Sequence, residues 1–237
     1  MILNSEHRES LYEKYASSFK DSSGRFDSVN ADSWEPCFQY YLRNWLPNDL
    51  DAHIIDLGCG DGRLLYLLAK AGYRNVEGVD LSDSQVEIAR QISDRVSKTD
   101  ALEYLTNSTE QFDLILGFDV IEHLTKVELL RFLELCRARL KPGGRVIFQT
   151  PNASSPFFGE IRYGDLTHEI GLTPNLLSQL VAREGFVDIE CRETGPVPKG
   201  YSYKSTIRFF LWQIVRLFYG LLNSKSFIFL NYILFIF

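Results

Sequence analysis

Residues 54–62 read Ile54-Ile55-Asp56-Leu57-Gly58-Cys59-Gly60-Asp61-Gly62, and the rest of the chain is organised around them. An apolar, β-branched run that gives way to glycines reads as a buried strand ending in a tight turn. Arg63 to Lys70 (RLLYLLAK) follows with helical propensity. Strand, glycine turn and helix form the opening βα unit of a nucleotide-binding α/β fold, which takes its ligand beyond the carboxyl ends of the strands. Glycine allows positive φ there and lets a ligand approach the backbone. A dinucleotide fingerprint, Gly-x-Gly-x-x-Gly, would require glycine at position 63. Arg63 stands there, and the third glycine falls one place early, at Gly62. A glycine turn is also compatible with an ordinary α/β loop, so the remaining chain has to test the reading.

From residue 52 onward, strand and helix patterns alternate. Strands are expected at 53–57, 75–79, 95–99, 112–117, 144–150 and 186–194, and helices at 62–71, 83–93, 125–139 and 173–184. Such alternation predicts a mostly parallel sheet with helices on both faces. No repeat or linker divides this core, taken as 51–195. Residues 1–50 are polar with interleaved aromatics, among them Trp34, Phe38, Tyr41 and Trp45. Helices are expected there at 6–19 and 33–46, the second capped by Asp32 or Ser33. This front piece reads as a lid over a cleft or as a cover for one side of the sheet.

Charge is unevenly spread. The chain of 237 residues carries −6, yet five basic residues and no acid follow Pro196, which leaves −11 on residues 1–195. An acidic body argues against a general nucleic-acid binder. The four cysteines (Cys37, Cys59, Cys136, Cys191) are scattered, so neither a disulfide framework nor a zinc site is expected, and no metal is called for. A polar, mixed-charge beginning does not read as a signal peptide, and the cytoplasm is the expected compartment, with the inner membrane face as a further possibility. Residues 201–237 hold 12 of the 32 aromatics. The segment 204–222 reads as a basic amphipathic helix, suited to an anionic membrane surface or a homodimer contact. The run FIFLNYILFIF is too short to span a bilayer as a helix, and its apolar pattern predicts a terminal strand, 227–235, at the edge of the sheet.

Asp80 ends the second expected strand, where a carboxylate is placed to accept hydrogen bonds from ribose hydroxyls. Leu81 would lie against an adenine face, and Ser82 and Asp83 already serve to cap the next helix. Asp100-Ala101 follows the third strand and could also cap a helical turn. The stretch FDLILGFDVIEHL, 112–124, brings Phe118, Asp119, Glu122 and His123 to the cleft. Lys141-Pro142-Gly143-Gly144 reads as a turn before the fifth strand.

Taken together, the glycine motif, Asp80, Asp100, VIEHL and RLKPGGRVIFQTPN resemble class I S-adenosylmethionine-dependent methyltransferases. The resemblance implies a Rossmann-like fold of seven mostly parallel strands with an antiparallel last strand. It also implies S-adenosylmethionine as cofactor, held by Asp56, Gly58, Cys59, Gly60, Asp61, Gly62, Asp80, Leu81, Asp100, Ala101 and Phe118. Members that act on nucleobase amino groups usually carry Asn/Asp-Pro-Pro-aromatic after the fourth strand, which this chain lacks. VIEHL and the fifth-strand motif are closer to small-molecule and sugar methyltransferases, and residues 160–222 resemble those of bacterial surface-polysaccharide pathways.

The long loop after the fifth strand brings Arg162, Tyr163, Asp165, Thr167 and His168 toward the cleft. A hydroxyl acceptor needs a base to take its proton, and histidine titrates in the right range. His168 is the leading candidate, followed by His123, with Asp165 and Glu122 as alternative bases or as groups that orient the histidines. The expected reaction is O-methylation of a sugar hydroxyl in a surface polysaccharide or its lipid-linked precursor. The alternatives are a diffusible quinone-type acceptor, or a cofactor-binding pseudoenzyme that docks to a membrane or partner.

Overall fold

Strands that are apolar on both faces have no side to offer water. In the computed structural model, which describes residues 24–198, 202–222 and 232–237, they lie at the centre of a covered sheet. All four residues of β1 (Ile54–Leu57) are buried. The other strands are β2 (Val76–Asp80), β3 (Val96–Lys98), β4 (Phe112–Phe118), β5 (Leu140–Pro151), β6 (Glu190–Thr194) and β7 (Tyr232–Ile236). Their order across the sheet is β3-β2-β1-β4-β5-β7-β6. The first five run parallel, and β7 runs antiparallel to both β5 and β6. The expected Rossmann-like architecture is present.

Helices cover both faces. They are α1 (Ser28–Tyr41), α2 (Arg63–Lys70), α3 (Asp83–Ala89), α4 (Ala101–Asn107), α5 (Lys126–Arg139), α6 (Phe158–Gly164), α7 (Pro174–Arg183) and α8 (Tyr203–Leu222). Alternate strand residues feed two cores. Ile55, Leu57, Phe148 and Phe235 pack with Leu105, Phe132, Leu133 and Leu177 of α4, α5 and α7. Ile54, Leu116, Ile147 and Leu234 pack with Phe38, Leu65, Leu68 and Val86 of α1, α2 and α3. The period-two alternation of side chains in a strand produces this division.

The structure corrects several expectations. The strand expected at 227–235 is not an edge strand. Its described part, β7, lies between β5 and β6, and β6 takes the edge. Residues 233–237 are all buried, which suits an interior position. The second front helix starts and ends five residues early, because Asp27 caps it by accepting from the Asn30 amide at 2.9 Å. It stops at Tyr41, and Asn44 takes a left-handed φ of 65°. Trp45 therefore leaves the helix pattern and packs on β6, where its indole N–H donates to Glu190 at 3.0 Å and the Arg192 guanidinium stacks over it at 3.7 Å. Lys141 to Gly144 form an irregularity inside β5, the pairing jumping from Leu140 opposite Phe112 to Arg145 opposite Leu114. The long loop contains α6, which the sequence reading left out. Of the basic residues of α8, Arg216 turns inward to Glu193 of β6 at 3.3 Å, whereas Arg208 stays exposed. The helix expected at 6–19 lies outside the described residues.

Candidate functional site

Five parallel strands present their carboxyl ends on one side, and a cavity of about 1010 Å³ opens there. The glycine turn forms its floor. The amides of Gly58 and Cys59 both donate to the Val79 carbonyl, at 2.8 and 2.9 Å, tying the turn to β2. Gly58 has φ 73°, and a Cβ on it would stand 2.5 Å from Val120, so only glycine fits. Gly62, at φ 86°, does not line the cavity. A Cβ there would come within 3.0 Å of Ala89, so this glycine lets α2 and α3 pack closely.

Carboxylates surround the turn. Asp80 accepts from the Gly60 amide and from the Ser82 amide, both at 2.9 Å, and so links the first two βα loops while lining the cavity. Asp100 caps α4 through the amides of Leu102 and Glu103, at 2.8 and 3.1 Å, and lines the cavity too. Asp56 is 1% exposed, and among the described residues neither of its oxygens has a hydrogen-bond partner. Burial, reinforced by the charges of Asp80 and Asp61, pushes its carboxyl up to about 8. A buried acid left without a partner and facing two further carboxylates is arranged for a cation. The cradle therefore fits a sulfonium and ammonium ligand. Cys59 is buried, and burial with the nearby Asp56 charge holds its thiol well above the ordinary value, so it packs rather than reacts.

The same cavity is lined by Glu122, His123, Asp165 and His168, brought together from the turn after β4 and the loop after α6. Thr167 organises them. Its hydroxyl donates to Asp165 at 2.6 Å and lies 2.9 Å from Nδ1 of His123, which therefore carries a proton and donates to it. His168 has its Nδ1 3.1 Å from the Ile161 carbonyl, which sets the same tautomer. Burial holds the His168 ring below its ordinary value, so it stays neutral. Glu122 is 2% exposed and accepts from Thr150 at 3.1 Å, and burial, then Asp119, holds its carboxyl well above the usual range.

Arg162 and Tyr163, expected at the rim, do not line the cavity. Arg162 donates to the Glu169 carbonyl, and Tyr163 is exposed. Phe118, Leu81 and Ala101 do line it. Trp34, Gln149, Glu160, Ile161 and Tyr232, none of them expected at the site from sequence, also line the cavity. Trp34 meets Phe118 edge-on at 6.3 Å, so α1 covers part of the opening. Tyr232 arrives from β7, and burial beside Asp119 and Glu122 pushes its phenol up to about 12, which keeps it a donor. Asp119 offered one further signal. It holds φ 57° although it is not glycine, a strain of the kind that gathers at functional sites.

The profile of a family described as "Methyltransferase domain" matches residues 30–191. A ubiquinone biosynthesis O-methyltransferase of Coxiella burnetii (strain Dugway 5J108-111) is 34% identical over 105 residues, 42% of this chain and 44% of that protein. One from Chelativorans sp. (strain BNC1) is 32% identical over 150 residues, 56% of this chain and 58% of that protein. The chain thus spans about half the length of these curated relatives. A SAM-dependent methyltransferase from Archaeoglobus fulgidus shares the fold with a TM-score of 0.63 at 20% identity, covering 96% of this chain and 97% of its own.

Proposed function

This chain belongs to the class I S-adenosylmethionine-dependent methyltransferases, and from that premise we propose that it methylates a hydroxyl of a neutral, polyhydroxylated acceptor. A sugar of a surface polysaccharide, or of its lipid-linked precursor, is the leading candidate. The observation that carries this reading is one cavity lined by both an acidic glycine turn and a histidine–carboxylate group. Asp56, Gly58, Cys59, Gly60, Asp61, Asp80, Leu81, Asp100, Ala101 and Phe118 would hold the cofactor, with Gly62 supporting the turn from behind. When bound, S-adenosylmethionine supplies a methyl group on a positively charged sulfur that is already electrophilic. The protein's remaining tasks are to position the acceptor oxygen and to ease the loss of its proton. We assign these tasks to His168 ahead of His123, with Asp165 and Glu122 in support.

Charge narrows the acceptor. Among the described residues, ten carboxylates and one guanidinium, that of Arg63, line the cavity. Such a surface attracts a cationic cofactor and repels phosphates and nucleic acid. At the acceptor end, Gln149, Tyr232, Glu160 and Asp165 offer the mixed donors and acceptors that a polyol needs. A diffusible quinone-type acceptor is the second reading, favoured by the names of the curated relatives. For this chain a cytoplasmic site of action, reaching the membrane through α8, fits a lipid-linked acceptor. Among the described residues no helix is long and apolar enough to cross a membrane.

The test is transfer of labelled methyl from S-adenosylmethionine to a panel of glycosides and catechols, joined to mass spectrometry of surface glycans from cells with and without the protein. A glycan lighter by one methyl in the deficient cells supports the leading reading. Transfer confined to catechols replaces it with the second. Tight cofactor binding without transfer to any acceptor would make the chain a binding module.

A further inference from the structure

One carboxylate oxygen of Glu122 and one ring nitrogen each of His123 and His168 lie within 4.8 Å of one another. The two imidazoles face each other with 4.8 Å between centroids, tilted by 49°. Both rings are fixed from behind by oxygen, His123 by Thr167 and His168 by the Ile161 carbonyl, a contact at Nδ1 in each case. Glu122 gives one oxygen to the Thr150 hydroxyl, while Oε1 is buried with no hydrogen-bond partner among the described residues. Leaving a buried carboxylate oxygen unpaired is costly and calls for a reason.

We propose that Glu122, His123 and His168 bind a divalent cation, and that this cation holds two adjacent oxygens of the acceptor. The inference rests on the O-methyl-transfer reading and names its acceptor class: molecules with neighbouring hydroxyls, whether a sugar diol or a catechol. Two imidazoles and one carboxylate suit zinc, manganese, iron or cobalt better than magnesium, which prefers oxygen and water. An oxygen partner on the second nitrogen of each histidine is the usual support for ligating rings. Donors around a cation at about 2.1 Å stand about 3–3.4 Å apart, so the three side chains draw together by an ångström or more on binding. Three protein ligands leave positions open for an acceptor in the cavity that Gln149, Asp165 and Tyr232 also line. A hydroxyl bound there gives up its proton more readily, and the cleft's water takes it. The histidines thus serve the acceptor as ligands.

Full-length protein stripped with EDTA is titrated with Co²⁺, following visible absorption and thermal stability, with S-adenosylhomocysteine calorimetry on the same sample. The expected result is saturation at one Co²⁺ per chain, lost in Glu122→Gln and His168→Ala and kept in Tyr163→Ala. Stripping should also lower transfer to a vicinal diol or catechol at least tenfold, with Co²⁺ or Mn²⁺ restoring it. Since Glu122→Gln could disturb folding, the stripped wild-type chain gives an independent readout. No saturable Co²⁺ absorption in a sample that binds S-adenosylhomocysteine, or transfer indifferent to EDTA, overturns the cation alone. Failure to bind S-adenosylhomocysteine at all overturns the underlying reading as well.

Discussion

Asp56 is the residue whose position says most about the ligand. In the free protein its carboxyl sits at about 8, so below that pH it is mostly protonated. A sulfonium or ammonium entering the cleft favours the ionised form, and binding must then expel a proton. We expect cofactor affinity to rise with pH up to about 8 and to level off above it. Calorimetry in buffers of different ionisation enthalpy would show the released proton, and Asp56→Asn would remove both effects. The same raised value makes a stability statement: the free fold loses stability as pH climbs from about 4, the unfolded carboxyl's range, to about 8, and bound cofactor restores it. His168 yields a second expectation. Replacing it with alanine should lower turnover by about 10²–10⁴ and leave S-adenosylhomocysteine affinity within about threefold, because His168 belongs to the loop after α6 and not to the glycine turn. An unchanged turnover number would move the acceptor chemistry to other side chains.

At the scale of elements, α8 is the anomaly. Its residues Ile207, Phe210, Leu211, Ile214, Leu217 and Phe218 are each more than half exposed, a continuous apolar ridge beside the exposed Lys204 and Arg208. A soluble monomer seldom shows so much apolar surface in one place. The expected outcome is co-flotation with anionic vesicles at low salt, abolished by Phe210→Glu with Leu217→Glu and weakened by Lys204→Ala with Arg208→Ala. A dimer that never enters the vesicle fraction would reassign the ridge to self-association. How far such elements were legible depends on what encodes them. Buried parallel strands and capped helices write themselves as local patterns, so β1 to β5 and α2, α5 and α7 fell close to their expected places. Thr125 and Thr173, for instance, each cap the helix that follows, α5 and α7. The end of α1 was not legible, because Trp45 continues the apolar spacing while its real partners, Glu190 and Arg192, come 145 or more residues later. The glycine turn after β1 was readable for the same local reason. The histidine cluster was readable only as a list of candidates, since Thr167 and Ile161 orient it from a loop whose course no pattern announces.

For the whole molecule, the interior position of β7 governs stability. Ile233, Leu234, Phe235, Ile236 and Phe237 are fully or nearly buried. At about 1.5–3 kcal/mol for each large side chain, their loss rivals the roughly 5–15 kcal/mol that holds a typical domain together. We expect deletion of 232–237 to abolish cooperative thermal unfolding, and charge substitution at Phe235 to do nearly as much. Neighbour order in a sheet is a non-local property, and a run apolar on both faces implies burial without naming its neighbours. The placement also sets a schedule for biosynthesis. β6 pairs with β7 and not with β5, so during translation it emerges with its place in the sheet still unfilled. Until residues 232–237 leave the ribosome, the nascent polypeptide displays the hydrogen-bonding rim of β5, a template for unwanted strand addition. The half-made protein, more than the finished one, is the form that needs a chaperone.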